Sequence, residues 1–201
     1  MLIFPGSWFA LLATAAIAGC GPRTTEFHIT DHRTAGPPQQ YYEHFDECYY
    51  SLDAQGKADI VARRRSVPLE EGAEPVTQVI HISQVWAAVP GCTFAEKSMI
   101  NATVSYLIVG PTGGASFDGG GFVTFKENRE RNEIRGRLES SALTPQRRLG
   151  DGGDLFTRAA VTGTFRALRD KRSVIRILHE MNRLFGPMPL YQPPPVNPDL
   201  R

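Results

Sequence analysis

Five histidines, three cysteines and 21 carboxylates are the groups of this chain that could move protons, attack carbon or hold a metal. Their spacing gathers few of them. His28, Asp31 and His32 place two imidazoles and a carboxylate within five residues, and those are metal-ligand types. They stand in a polar stretch where nothing pre-organises them, and a polar linker is the expectation. Asp151-Gly152-Gly153-Asp154 sets two carboxylates in a glycine loop. Calcium takes about six to eight oxygens and a hand loop carries a distal glutamate; that pattern is missing, so a surface turn is expected. His44 and Asp46 alternate onto one face of an expected strand and Glu43 and Glu47 onto the other. Such a strand can supply a general acid or base, but cross-strand pairing or solvent exposure explains the pattern and is the expectation. His81 lies on the strand face opposite Ile80 and Ile82, and His179-Glu180 lacks the second histidine of a zincin helix. The sequence contains no G-x-S-x-G, no G-x-x-x-x-G-K-[ST] and no strand-to-helix G-x-G-x-x-G. Asn101-Ala102-Thr103 matches a glycosylation sequon inside an expected strand and reads as chance. No catalytic residue, metal site or cofactor is therefore assigned.

The clearest chemical signal is at the N-terminus. Phe9 to Gly19 (FALLATAAIAG) is an uncharged apolar run with the length of a secretory h-region, too short to span a bilayer. It ends in Ile17-Ala18-Gly19-Cys20, which resembles the lipobox of bacterial lipoprotein precursors: a branched apolar residue, two small residues, then cysteine. The resemblance implies that residues 1–19 are removed and that Cys20 is acylated and becomes the first residue of the mature chain. Met1 to Trp8 departs from the pattern in having no Lys or Arg. Gly21, where enteric-type sorting would need Asp for inner-membrane retention, implies the outer membrane in a two-membrane cell. Acyl chains contribute about 0.8 kcal/mol per buried CH₂, so two or three of them hold firmly. An exported chain meets oxidising conditions, and Cys48 and Cys92 are left as a pair; a disulfide between them is the expectation. Closing that loop would contribute roughly 4 kcal/mol in the chain-entropy model.

The composition bounds the rest. The chain has 201 residues and a formal net charge of +1, which argues against a nucleic-acid binder. Residues 1–100 carry 7 Lys/Arg against 11 Asp/Glu, and residues 101–201 carry 15 against 10. Apolar residues make up 41%, enough for a core.

Four regions follow: the leader at 1–19, the lipidated Cys20 with a tether over 20–40, a β-rich domain with a C-terminal helix over 41–186, and a proline-rich tail over 187–201. The tether reading rests on polarity and on Gly36-Pro37-Pro38. About seven strands are expected: Tyr41–Leu52 with Tyr41, Phe45 and Tyr49 on one face, Ala58–Arg65, Val76–Val89, Met99–Val109, Ala115–Glu127, Glu133–Ala142 and Leu155–Leu168. Gly119-Gly120-Gly121 marks a bulge or bend, Asn128–Asn132 a hairpin tip, and Arg147–Asp154 a loop. Asp170 is expected to cap a helix over Arg172–Phe185, with Val174, Ile175, Leu178, Met181 and Phe185 on one stripe and Gly186-Pro187 as its stop. The tail holds six of the 15 prolines and reads as extended or disordered. Strands joined by short turns give a mainly-β domain, an antiparallel sandwich or open barrel with one amphipathic helix at its C-terminus.

The functional expectation is an envelope lipoprotein, membrane-bound through its lipid, whose domain binds or scaffolds an envelope protein without catalysis. One alternative is a carrier whose barrel holds a small apolar ligand, with the aromatic run Tyr41, Tyr42, Phe45, Tyr49 and Tyr50 lining or filling its interior. Another is a hydrolase, which would need His44 or His81 joined to carboxylates of other strands. The basic stretch Arg158–Arg183 suits anionic headgroups or an acidic partner, or is the solvated side of a helix covering the sheet.

Overall fold

The computed structural model describes residues 24–32, 36–66, 75–87, 100–150 and 158–186. They form nine strands and one long helix: β1 (Thr25–Asp31), β2 (Gln39–Phe45), β3 (Glu47–Leu52), β4 (Ala58–Arg65), β5 (Thr77–Gln84), β6 (Ala102–Gly110), β7 (Gly113–Asn128), β8 (Glu133–Gly150), β9 (Ala159–Arg169) and α1 (Lys171–Phe185). A single 3-10 turn, Arg129–Arg131, links β7 to β8. No helix among the described residues is long and apolar enough to cross a membrane.

The strands make one sheet in the order β2-β1-β9-β3-β4-β5-β6-β7-β8, and β8 pairs back onto β9. That last pairing closes β3 to β9 into a seven-stranded ring. All neighbours are antiparallel except β3 and β9, which meet in parallel at Tyr49–Leu168 and Tyr50–Arg169. β9 gives one edge to β8 and shares the other. β1 takes residues 159–164 and β3 takes 168–169. The β1–β2 hairpin is thus a flap on the ring's seam.

The expected mainly-β domain with one C-terminal helix forms, as a sheet of nine strands instead of about seven, of which seven close the ring. The two additional strands have separate causes. The segment expected as a tether contains β1, whose Thr25, Phe27, Ile29 and Asp31 are buried in strict alternation, and the first residues of β2. The expected Tyr41–Leu52 strand breaks at Asp46, where the chain steps from its pairing with β1 to direct pairing with β9. With a period of 2, one unpaired residue exchanges the faces. Phe45, Cys48 and Tyr50 point into the barrel and Tyr49 packs on the outer cluster under the helix, so Tyr49 does not share a face with Tyr41 and Phe45.

The interior is filled. Phe27, Tyr50, Tyr106, Phe117 and Phe165 are all fully buried, with Ile29, Ile60, Ile80 and Ile82 between them. A small barrel is just wide enough for its own side chains. Phe165 packs over Gly136 and Phe27 over Gly163, where a Cβ would lie 2.4 Å from Phe165 Cζ and 2.3 Å from the Glu26 carbonyl oxygen respectively. The Gly119–Gly121 run stays within β7, and β7–β8 register shifts fall on either side of it. β8 runs eight residues beyond its expected end, to Gly150.

Outside the ring, Val174, Ile177, Met181 and Phe185 of α1 bury against Val61, Val79 and Leu107 of β4, β5 and β6. Burying four such side chains contributes about 6–12 kcal/mol before entropy is subtracted. Asp170 caps the helix as expected, accepting from the Arg172 and Ser173 amides at 3.0 and 3.1 Å and from Ser173 Oγ at 2.7 Å. Gly186 ends it at φ 75°. The buried stripe runs through Ile177 and not the expected Ile175, which is 54% exposed.

Candidate functional site

Antiparallel register lines up polar side chains on the outer face beside α1. Val61, His81, Ser105, Asp118 and Thr144 stand directly opposite one another across β4 to β8, with Asp59 two residues before Val61. His81 Nε2 is 3.3 Å from Asp59 Oδ1. Burial pushes the Asp59 carboxyl up, but hydrogen bonds from His81 and Ser83 and the charge of His81 outweigh it and hold it below its usual range. Asp59 therefore stays ionised and orients the imidazole. Ser105 is buried, one cross-strand step from His81, a separation of about 5 Å between Cβ atoms. Asp118 Oδ1, next in the row, is buried without a hydrogen-bond partner. Carboxylate, imidazole and hydroxyl are the groups of a general base and its nucleophile.

A second feature is a depression of about 380 Å³ where β1 gives way to β3 along β9, with Thr24, His44, Glu47, Cys48, Tyr49 and Leu168 in its lining. Its floor is rigid. Thr25 Oγ1 bonds the Arg166 backbone at 3.2 Å. Glu47 receives Arg63 Nη2 at 2.6 and 2.8 Å and Nε at 3.1 Å. Arg63 is buried under α1, and its Nη1 reaches Glu180 on the helix at 3.4 Å. Cys48 is a free thiol 8% exposed; burial pushes its pKa up to about 12, only partly opposed by the Thr25 hydroxyl. It is no thiolate nucleophile at neutral pH. His44 Nδ1 lies 4.0 Å from Glu26 with both side chains about half exposed.

Other expected positions scatter. His28 stacks edge-on against Tyr42, with ring centroids 4.3 Å apart, on the outer face of the β1–β2 flap, while Asp31 is buried at the end of β1. His179 is exposed on α1. Among the described residues no three His, Cys, Asp or Glu side chains gather to hold a metal. Cys20, Cys92, Asp151 and Asp154 lie outside the described residues, as do the expected leader at 1–19 and the expected tail at 187–201. The expected Cys48–Cys92 bridge is accordingly not among the contacts of the described residues, where Cys48 is free. Asn101, whose sequon is expected to be chance, has a structural place. Asn101 is fully buried, accepting from the Val123 amide at 2.7 Å and donating to its carbonyl at 2.8 Å. The Asp59–His81–Ser105 row escaped sequence reading because its members sit on three strands; the alternation of each strand was legible, the register between them was not.

Compared with known proteins, the chain matches no family model, no curated protein and no solved structure.

Proposed function

We propose that the protein is an envelope lipoprotein, held to the membrane through acylated Cys20, whose barrel is a non-catalytic binding or scaffold module. The observation that carries the reading is the Ile17-Ala18-Gly19-Cys20 ending of an apolar leader, placed five residues before the first strand at Thr25. The packed interior favours recognition by the outer surface over carriage of a small apolar ligand. Three depressions are lined mainly by polar side chains: the one beside Cys48, one of about 560 Å³ at the β7–β8 tip and one of about 270 Å³ between β1, β9 and β8.

Intact mass of the detergent-extracted native protein tests this. The expected result is a chain beginning at Cys20 with acyl mass added, and no further mass released on denaturation. An unprocessed chain beginning at Met1 overturns the anchor, and a lipid-sized species released only on unfolding overturns the filled barrel in favour of a carrier.

A second reading, a hydrolase, draws on the Asp59–His81 hydrogen bond beside Ser105. It requires a fluorophosphonate adduct on Ser105 that His81→Ala abolishes; an unlabelled Ser105 ends it.

A further inference from the structure

Thr24, the first described residue, lines the depression beside Cys48 together with Glu47, Tyr49 and Leu168. Four peptide steps lead back from it to Cys20. An extended chain covers at most about 3.6 Å per residue, so these four steps can span no more than about 14 Å. A lipid on Cys20 therefore cannot hold the barrel far from a bilayer, and it fixes which flank faces the bilayer.

That flank continues onto α1. Glu47, in the same depression, lies 4.0 Å from Arg176 Nη2. Arg172, Arg176, His179 and Arg183 follow one another at helical spacing opposite the buried stripe of Val174, Ile177, Met181 and Phe185. This ridge is exposed and carries no carboxylate; Glu180 at its side is turned to Arg63 and Arg65. Ile175 and Leu168, 54% and 48% exposed, are apolar residues left open on the helix and on β9.

We propose that this flank is a docking surface for anionic phospholipid, with the arginine ridge of α1 on the headgroups and the Thr24 depression over the point where the acyl chains enter. The proposal rests on the lipoprotein reading for the presence of the bilayer, while the chemistry of the surface can be tested without the acyl group. Each cation near an anionic surface strengthens binding about fivefold, and the term is screened by salt.

The test is sedimentation of the full chain carrying Cys20→Ser with phosphatidylcholine vesicles, with and without phosphatidylglycerol, at low and high salt. Insertion by the leader appears equally on both vesicle types and is subtracted. The expected result is excess binding to the anionic vesicles that high salt removes. Arg172→Gln/Arg176→Gln/Arg183→Gln weakens it about a hundredfold. Lys126→Gln/Arg129→Gln/Arg131→Gln, which removes the same charge from the β7–β8 tip, leaves it in place. Both triple variants replace exposed side chains, and circular dichroism checks that they fold. No excess on anionic vesicles, an equal loss in the two variants, or retention on a soluble polyanion without vesicle binding each overturns the surface. The mass of the wild-type chain judges the anchor separately. Acylated Cys20 without vesicle binding leaves the anchor and removes the surface, and unmodified Cys20 with ridge-dependent binding does the reverse.

Discussion

Thr25 Oγ1 takes both backbone groups of Arg166, accepting from its amide and donating to its carbonyl at 3.2 Å each. The contact sits where β1 begins and β3 has not yet come alongside β9, a gap in the ladder that would leave two buried polar groups unpaired. The same device recurs at two other irregularities. Asn101 holds both groups of Val123 beside the β7 register shift. Ser141 Oγ accepts from the Val161 amide at 2.8 Å and donates to its carbonyl at 2.7 Å, within the β8–β9 shift between Leu138 and Leu143. A barrel must bend its strands to close, and at these three points a side chain supplies the hydrogen bonds that the bend removes.

Thr25→Val keeps the shape and removes the hydroxyl. It should lower stability by about 1–3 kcal/mol for each group left unpaired. The expected reading is a lower urea midpoint with an unchanged slope, largely restored by Thr25→Ser. A valine variant with the parental midpoint would show that the Thr25–Arg166 contact contributes nothing to stability.

Asn101→Ala removes a donor and an acceptor at a fully buried position and should cost more than Asn101→Asp, which keeps the acceptor for the Val123 amide. The same urea titration ranks them. If the aspartate is the worse of the two, burial of its charge outweighs the retained bond.

Much of this fold is legible in the sequence. The α1 stripe and its Asp170 cap follow from a 3.6-residue period and one well-placed acid. β5 and the start of β8 follow from alternation. β1 was legible as well: Phe27 and Ile29 alternate with polar residues, but Gly36-Pro37-Pro38 after them reads as a linker when it belongs to the connection from β1 to β2. The Tyr49 face could not be read, because the break at Asp46 answers to the arrival of β9, more than a hundred residues later. The row joining Asp59, His81, Ser105 and Asp118 depends on register across β4 to β7, which turn lengths and core packing set jointly. The resemblance of Ile17-Ala18-Gly19-Cys20 to a lipobox needs no folding to be seen, which is why it carries so much of the functional reading.

Cys48 should behave as a core residue. A thiol with its pKa near 12 is ionised to about one part in ten thousand at pH 8, and only the thiolate reacts readily. In a chain carrying Cys20→Ser and Cys92→Ser, a thiol reagent should label Cys48 at the rate of unfolding and at once in denaturant. Fast labelling of the folded chain would place Cys48 at an accessible site, with a thiolate available for chemistry.

Gly163→Ala tests how closely β1 approaches β9. The added Cβ would stand 2.3 Å from the Glu26 carbonyl oxygen and 2.7 Å from Phe27 Cδ1. Backbone cannot yield as a flexible side chain does, so the flap must shift at a cost of about 1–3 kcal/mol. The expected outcome is a lower melting temperature, with amide exchange accelerated over β1 and β2 before the rest of the ring. Uniform exchange across the barrel would mean that the flap and the ring open as one unit.

Glu133 is 1% exposed on the outer side of the barrel, between two guanidinium groups, with Arg135 Nε at 2.5 Å from one oxygen and Arg166 bonded to the other. Burial pushes its carboxyl up, but the hydrogen bonds and charges of Arg135 and Arg166 outweigh that and hold it below the usual carboxylate range. A carboxyl whose pKa is depressed in the folded state stabilises the fold fully above its unfolded pKa and loses that contribution as pH falls through the folded value. Glu133→Gln should therefore be less stable than the parent by about 1–3 kcal/mol at neutral pH, and the two should converge as the pH drops below the ordinary carboxylate range. Arg135 and Arg166 are each about a third exposed, so water can receive them in the variant and the loss stays below that of a fully buried pair. Chemical denaturation of both chains from pH 7 down to pH 3 measures the difference directly. A gap that stays constant across that range would mean that Glu133 acts through packing alone, and one that widens toward acid would reverse the sign of its coupling to the two arginines.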